Sequence, residues 1–280
     1  MELEKLEQSI LSNNVESLLN NLKSQATNHA ETPKQAVKNK TLKMIKRLLV
    51  TKKSIYDFGI QLTNSNDIIG EEMGSILIAE HFELNPEEVN DTLLRLADSD
   101  HWEVREWVAS ACSIILVHHF QEYYPRFYLW TKDESPNVRR AVAVAVKYVS
   151  RSKNQEIADS LIDLVEPLLS DQDSYVKKNL GAFAIGDGLL KYYPHQVMDR
   201  IRNWISIDDE NVRWNIAKIF SSAEGMKYIE DSIEQFNILM NDSRPTVKKA
   251  VNSTVNKLKK RDPELYNKCL VAGLTEINQS

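Results

Sequence analysis

The stretch His101-Trp102-Glu103-Val104-Arg105-Glu106-Trp107 opens a pattern that recurs four times along the chain. Each copy has a short acidic loop, a valine, basic residues, and then a stretch rich in alanine and valine. The marker valines are Val104, Val138, Val176, Val212 and Val247. They lie about 34 to 38 residues apart, a period typical of helical-hairpin repeats. Because one hairpin cannot bury its apolar face alone, this period predicts a stack of neighbouring hairpins.

A bulky apolar residue stands eight positions before each marker valine, and a short loop containing aspartate follows it. The set is Leu96, Trp130, Leu168, Trp204 and Leu239. These residues end the first helix of each hairpin at the spacing of its apolar face. We therefore expect all five in the core.

The composition favours an almost wholly helical protein, because 280 residues include only eight glycines and eight prolines. The formal net charge of −5 argues against a general polyanion binder, although it allows a local basic face. Cys112 and Cys269 are too few for a disulfide framework, which favours a reducing compartment. No apolar run is long enough for a bilayer, and residues 1–5 do not begin a signal peptide. We expect a cytoplasmic protein.

We expect a single domain over residues 1–280. Residues 1–85 form less regular helices, 86–260 form the repeats, and 261–280 form a C-terminal cap and tail. Near the N-terminus, Thr32-Pro33 fits a helix cap followed by proline at the first helical position. The basic residues of the helix that follows indicate a solvated face or a phosphate contact. They are Lys34, Lys38, Lys40, Lys43, Lys46 and Arg47.

The residues two positions after the marker valines occupy equivalent places on five helices, so the pattern predicts that they form one row. The row reads Glu106, Arg140, Lys178, Trp214 and Lys249. Cations in the first turn of a helix oppose its dipole, at a cost of a few tenths of a kcal/mol each. Arg140, Lys178 and Lys249 therefore point either to a phosphate backbone or to charges within the protein.

The residue directly after each marker valine has a simpler interpretation. These residues are Arg105, Arg139, Lys177, Arg213 and Lys248. Each is expected to pair with the loop aspartate of the preceding repeat, which would make an internal ladder of ion pairs.

Glu106 is the one acid in the row. Nearby cations would keep its carboxylate ionised, and Trp102 lies at the i, i+4 spacing that makes helical side chains neighbours. An ionised carboxylate beside an indole suits the stabilisation of a positive centre, such as the oxocarbenium-like sugar of a breaking glycosidic bond. The alternative is an ordinary glutamate at a helix start beside an ordinary repeat tryptophan.

The runs Trp102-Glu103-Val104-Arg105-Glu106, Val138-Arg139-Arg140-Ala141 and Tyr175-Val176-Lys177-Lys178-Asn179-Leu180-Gly181 resemble the HEAT-like-repeat alkylpurine DNA glycosylases of the AlkD/AlkC superfamily. The resemblance covers residues 86–220. It implies an all-α fold, namely a right-handed α-solenoid of HEAT-like helical hairpin repeats with a concave face. It also implies an enzyme that removes N3- or N7-alkylated purines from duplex DNA without a metal or cofactor. We expect the protein to be a monomer.

The resemblance also implies roles for individual residues. Glu106 falls on the catalytic carboxylate, Trp102 on its accompanying aromatic and Arg140 on a DNA-backbone contact. The second active-site aromatic would fall near Ala182 or Phe183, in a helix about two residues longer than expected, and Asp187 lies near a second acid of one branch. The full set of expected DNA contacts is Arg140, Lys178, Trp214, Lys249, Arg139 and Lys177.

Two other functions remain open at this stage. The acidic charge and the incomplete site favour a non-catalytic HEAT-repeat scaffold that binds protein. A diverged relative that binds DNA without cleaving it is intermediate between the glycosylase and the scaffold. Other chemistries have little support, since no phosphate loop or nucleophile triad is present and the histidines lack metal-ligand spacing. The histidines are His29, His81, His101, His118, His119 and His195.

Overall fold

The computed structural model describes residues 2–26 and 32–277, and over these residues it contains sixteen α-helices and no β-strand. Helix accounts for 81% of the structure, which confirms the all-α class. Residues 27–31 and 278–280, which include His29 and the end of the expected tail, lie outside the described residues. The handedness of the solenoid, the HEAT type of the repeat and the concave face stay predictions.

The chain divides into two compact units, Met1–Phe127 and Tyr128–Ser280. The single-domain organisation over residues 1–280 stays a prediction. The helices that lie within the first unit are α1 (Glu2–Leu11), α2 (Val15–Lys23), α3 (Gln35–Leu48), α4 (Lys52–Thr63), α5 (Ile68–Ala79), α6 (Pro86–Ala97) and α7 (Trp102–His118). Helix α8 (Phe120–Leu129) begins in this unit and ends in the second.

Side-chain caps begin most helices of the first unit. The Asp67 carboxylate accepts from the backbone N–H groups of Ile69 and Gly70 and so starts α5. Asn85 caps α6, whose first residue is Pro86. Such caps satisfy backbone donors that have no partner inside the helix.

The predicted start of the third helix at Thr32-Pro33 is wrong, because α3 begins at Gln35 with Lys34 in the cap position. Pro33 instead forms an isolated antiparallel bridge with Ala26. The Thr32 hydroxyl is buried and accepts a hydrogen bond of 3.5 Å from the Lys38 ammonium. Both residues are therefore committed to contacts that a helix start would not allow.

Close helix packing builds the core of the first unit. Helix α4 packs on α5, α5 packs along α7, and α6 packs on α7. Gly74 permits the first of these contacts, since a Cβ there would lie 2.7 Å from the carbonyl oxygen of Gly59. Helix α5 is thus a central support for α7.

The second unit continues with helical hairpins. Its helices are α9 (Pro136–Ser150), α10 (Ala158–Val165), α11 (Ser174–Asn179), α12 (Pro194–Trp204), α13 (Glu210–Ser221), α14 (Ile233–Met240), α15 (Pro245–Arg261) and α16 (Pro263–Ile277). Helix α11 continues directly into a π-helical segment, Leu180–Leu190. Neighbouring second helices pack side by side: α9 on the π-helical segment, that segment on α13, and α13 on α15.

The core residues of both units agree with the sequence pattern. All five marker valines are buried, and so are all five bulky residues eight positions earlier. This confirms the predicted core. Among the described residues, none of the helices has the length and apolar content required to cross a bilayer.

The π-helical segment lies in the interval between the marker valines Val176 and Val212. A π-helix has more residues per turn than an α-helix, so it takes up extra residues within the helix. Two glycines allow this wider helix to approach α13 closely. A Cβ on Gly181 would lie 2.8 Å from the Asn215 carbonyl oxygen, and one on Gly186 would lie 2.5 Å from the Ser222 hydroxyl oxygen.

Candidate functional site

Helix α7 carries the predicted catalytic pair. Trp102 is its first residue and is 60% exposed, and Glu106 lies one turn later and is half-buried. The i, i+4 spacing on a regular helix makes their side chains neighbours on one face. An exposed indole beside a carboxylate is a surface on which a sugar ring can pack.

The start of α7 differs from those of α5 and α6, because its cap residue His101 makes no side-chain cap hydrogen bond. A buried ion pair contacts α7 further along the helix. There the Lys38 ammonium is 5.1 Å from the centroid of the Trp107 indole and 2.6 Å from the Glu72 carboxylate. The sequence pattern did not single out this group, because Lys38 looks like one more cation on a solvated face.

An ion-pair ladder joins successive repeats of the second unit, but its predicted direction is wrong. Arg139 pairs with Asp171 at 2.6 Å and Arg213 pairs with Asp242 at 3.1 Å, so each cation contacts the loop of the following repeat. Arg139 also donates to the carbonyl oxygen of Asp133 in its own loop. Helical side chains lean toward the N-terminus, which lets one guanidinium reach both loops.

The ladder commits Arg139 and Lys177 to internal contacts. The hydrogen bond with Asp171 raises the pKa of Arg139. Lys177 donates to the Asn211 amide oxygen at 2.6 Å. Their expected DNA contacts stay predictions, and the internal pairing is the simpler account of both side chains.

Arg140 is only 4% exposed. Its guanidinium carbon lies 5.0 Å from the centroid of the Tyr175 ring, and one nitrogen is 3.4 Å from the Asn179 amide oxygen. A planar guanidinium stacks well on an aromatic face, which explains the burial. Of the three cations in the row, Lys178 and Lys249 are exposed, and their expected DNA contacts stay predictions.

Trp214 is half-buried and lies between two cations of the second unit. The Lys177 ammonium is 4.7 Å from the indole centroid and the Lys218 ammonium is 5.6 Å away. Lys218 was absent from the sequence prediction, although its i, i+4 spacing from Trp214 on α13 could have identified it. The arrangement presents an aromatic surface with positive charge beside it.

The π-helical segment holds the residues expected to supply a second aromatic wall. The Lys147 ammonium lies 3.3 Å from the centroid of the Phe183 ring, so the lysine covers this ring. Burial lowers the pKa of Lys147, while the nearby Asp187 carboxylate acts in the opposite direction. Asp187 itself is exposed.

A cluster of two acids and two arginines closes the loop before α15. Asp242 accepts from Arg244 and Arg213, and Arg244 also contacts Asp208 at 3.2 Å. The hydrogen bonds from Arg244 are the main cause that lowers the pKa of Asp242 to about 2. A shallow cavity of about 580 Å³ adjoins the cluster. Within the described part of the chain, no group of three or more acidic, histidine or cysteine side chains could hold a metal ion.

Comparison with known proteins identifies a family. A family model described as DNA alkylation repair enzyme matches residues 30–186, which is more than half of the chain. No curated protein matches. A crystal structure of an engineered protein matches with 11% identity over 92% of this chain and 98% of that chain, with a TM-score of 0.35. That score is too low to support an argument.

Proposed function

The chain belongs to the DNA alkylation repair enzyme family, and from this premise we propose that it is a DNA glycosylase for cationic alkylpurines. Its substrates would be purines alkylated at N3 or N7 in duplex DNA. The observation that carries the proposal is the family match, whose range includes α7 with the exposed Trp102 and the neighbouring Glu106.

The proposed reaction needs no general acid. The alkylated base is already positively charged, so it leaves as a neutral molecule with the electrons of the bond between its nitrogen and the sugar carbon. The sugar becomes oxocarbenium-like, and water then adds to that carbon and loses a proton. Glu106 stabilises the developing positive charge and orients the water, and Trp102 packs on the sugar.

Contacts to the DNA backbone are proposed for the second unit. Lys178 and Lys249 are exposed cations, and Trp214 offers an aromatic surface between Lys177 and Lys218. Local fields govern the attraction of a charged ligand, so such a surface can bind DNA although the whole chain is acidic. Each phosphate contact makes the affinity depend more steeply on salt.

The proposal is tested by release of 7-methylguanine and 3-methyladenine from methylated duplex DNA. Glu106→Gln should lower the single-turnover rate by about 100-fold or more, which is the usual effect of removing a transition-state electrostatic partner. Its affinity for DNA should stay the same. Glu103→Gln, in the preceding turn of α7, is the matched control and should keep the rate within about twofold. Equal rates for wild type and Glu106→Gln would overturn the assignment.

A protein-binding scaffold is the second candidate, and the net charge of −5 together with the burial of Arg140 favours it. A salt titration of duplex DNA binding separates the two functions. A glycosylase should bind DNA at low salt and lose affinity steeply as salt rises. A scaffold should show no DNA binding at any salt concentration.

A further inference from the structure

A buried ion pair lies beside α7, the predicted catalytic helix. Lys38, in the first turn of α3, donates to Glu72, in the second turn of α5, at 2.6 Å. Lys38 is 4% exposed and Glu72 is fully buried. The pair therefore crosses between two helices without contact with solvent.

Stability alone is a poor explanation for this pair. Removing two charges from water is unfavourable, and a well-packed apolar pair is often as stable or more stable. Burial raises the pKa of Glu72, which is the expected sign of this cost. The second carboxylate oxygen of Glu72, Oε1, has no hydrogen-bond partner among the described residues. The pair is thus retained in an unfavourable setting.

The other contact of Lys38 points to a different role. Its ammonium lies 5.1 Å from the centroid of the Trp107 indole, on the side where α5 packs along α7. A cation in this position attracts the ring, and the attraction strengthens when the cation is desolvated. Trp107 directly follows Glu106 in α7, so the buried lysine contacts the helical turn that carries the proposed catalytic acid.

The first turn of α7 has no side-chain cap, although Arg105 in that turn donates to the carbonyl oxygen of Ser99. Asp67 and Asn85 cap α5 and α6 with their side chains, whereas His101 makes no side-chain cap hydrogen bond to α7. An uncapped first turn frays more easily than a capped one. Trp102 and Glu106 both lie within the first two turns.

We propose that the Lys38–Glu72 pair is a positioning device for Glu106, acting through Trp107. The pair holds the ammonium at one point, the ammonium holds the indole, and the indole fixes the second turn of α7. Catalytic groups must stay within about 0.5 Å of their productive position, so a loosened turn would slow the reaction without weakening DNA binding. The inference rests on the proposed glycosylase function.

The test replaces both charges at once, so that no unpaired charge stays buried. Lys38→Leu/Glu72→Leu should keep the thermal midpoint at or above that of the wild type. Its single-turnover release of 7-methylguanine should fall about tenfold, with an unchanged Kd for DNA. Lys38→Arg, which preserves the charge and its contact with the indole, should keep the rate within about threefold.

A matched control exists on the same two elements. Lys46 of α3 pairs with Glu80, at the C-terminal end of α5, at 2.8 Å, and this pair is more exposed and lies further along both elements. Lys46→Leu/Glu80→Leu makes the same chemical change and should leave the release rate unchanged. If the Lys38 double variant does not fold, Trp107→Leu removes the ring and leaves the ion pair in place. It should show the same tenfold loss at unchanged DNA affinity.

The outcomes separate this inference from the function on which it rests. A wild-type protein that releases no alkylated base overturns the proposed glycosylase and the positioning role with it. An active wild type with an equally active Lys38→Leu/Glu72→Leu variant overturns the positioning role alone. An equal loss in the Lys46 control would also overturn it, because the effect would then come from general loosening of α3 and α5.

Discussion

The first turns of the repeat helices are held in two different ways. In the second unit, Ser135, Asp173 and Asp209 cap α9, α11 and α13 with their side chains. Arginines just inside α9 and α13 are also tied to the loop of the following repeat. In the first unit, α7 begins without a side-chain cap and contacts a buried cation through Trp107.

The difference shows how a repeat can be adapted without a change of fold. Caps and loop ion pairs fix a helix at its end, and they use the first-turn side chains for internal contacts. In α7 the contact with the buried cation is made by Trp107 of the second turn, and Trp102 of the first turn is 60% exposed.

The largest expected effect concerns the ion pairs that close the loops of the second unit. Asp242→Asn leaves Arg213 and Arg244 without their shared carboxylate and should lower the free energy of unfolding by about 3 kcal/mol. Chemical denaturation at pH 7 measures this loss. If the free energy of unfolding changed by less than about 0.5 kcal/mol, these ion pairs would not stabilise the second unit, and the contrast with α7 would be lost.

The same carboxylate predicts a pH dependence. Its pKa falls from an ordinary 3.8 to about 2 in the folded chain, so the folded state binds its proton less readily than the unfolded state. The corresponding stabilisation, about 2 kcal/mol, should be complete above pH 4 and disappear as the pH falls through 2. The free energy of unfolding of Asp242→Asn, measured between pH 2 and 5, should lack this pH-dependent stabilisation.

The next effect concerns the exposed cations that the ladder does not use. Lys178→Gln/Lys249→Gln should weaken duplex DNA binding about tenfold at low salt and make the log–log salt slope shallower by about 2. The rate of base release from saturated complexes should not change. An unaltered salt slope would exclude both lysines from the backbone contacts.

Substitution of Trp102 should have an effect of comparable size, but on the rate of base release and not on DNA affinity. Trp102→Ala should lower single-turnover base release about tenfold and leave the Kd for DNA within about twofold. The reason is that the indole is proposed to act on the sugar as it becomes cationic. A loss confined to Kd would make Trp102 an ordinary binding residue.

The smallest effect addresses the missing cap directly. His101→Asp would supply a side-chain acceptor at the start of α7 and should raise the free energy of unfolding by about 1 kcal/mol. Asp173→Ala removes such an acceptor from α11 and should lower it by a similar amount. Thermal unfolding of the two variants measures both changes. Equal and opposite shifts would show that capping alone separates the two helix starts.

The sequence was sufficient for features that depend on local periodicity. Val104 and Val138 mark buried positions because their spacing follows the hairpin period, and Trp130 and Trp204 are core residues for the same reason. These features need only the neighbours in the chain.

The rest depends on residues more than thirty positions apart. Arg140 and Lys178 look alike in the repeat, but Tyr175 buries only the first of them. Lys38 resembles Lys46 in sequence, and only packing against α7 distinguishes the two. Long-range contacts also decided the direction of the ladder, which could not be obtained from one repeat by itself.

The π-helical segment has a consequence for how this protein tolerates changes in length. An α-helix advances about 100° per residue, so a deletion within Leu180–Leu190 that restored ordinary turns would rotate one end of the helix relative to the other. Phe183 and the Lys147 ammonium would no longer meet, while the loops at both ends could stay intact. An insertion or deletion within this helix therefore rotates the residues that follow it about the helix axis. A single residue gained or lost there can exchange one set of exposed side chains for another.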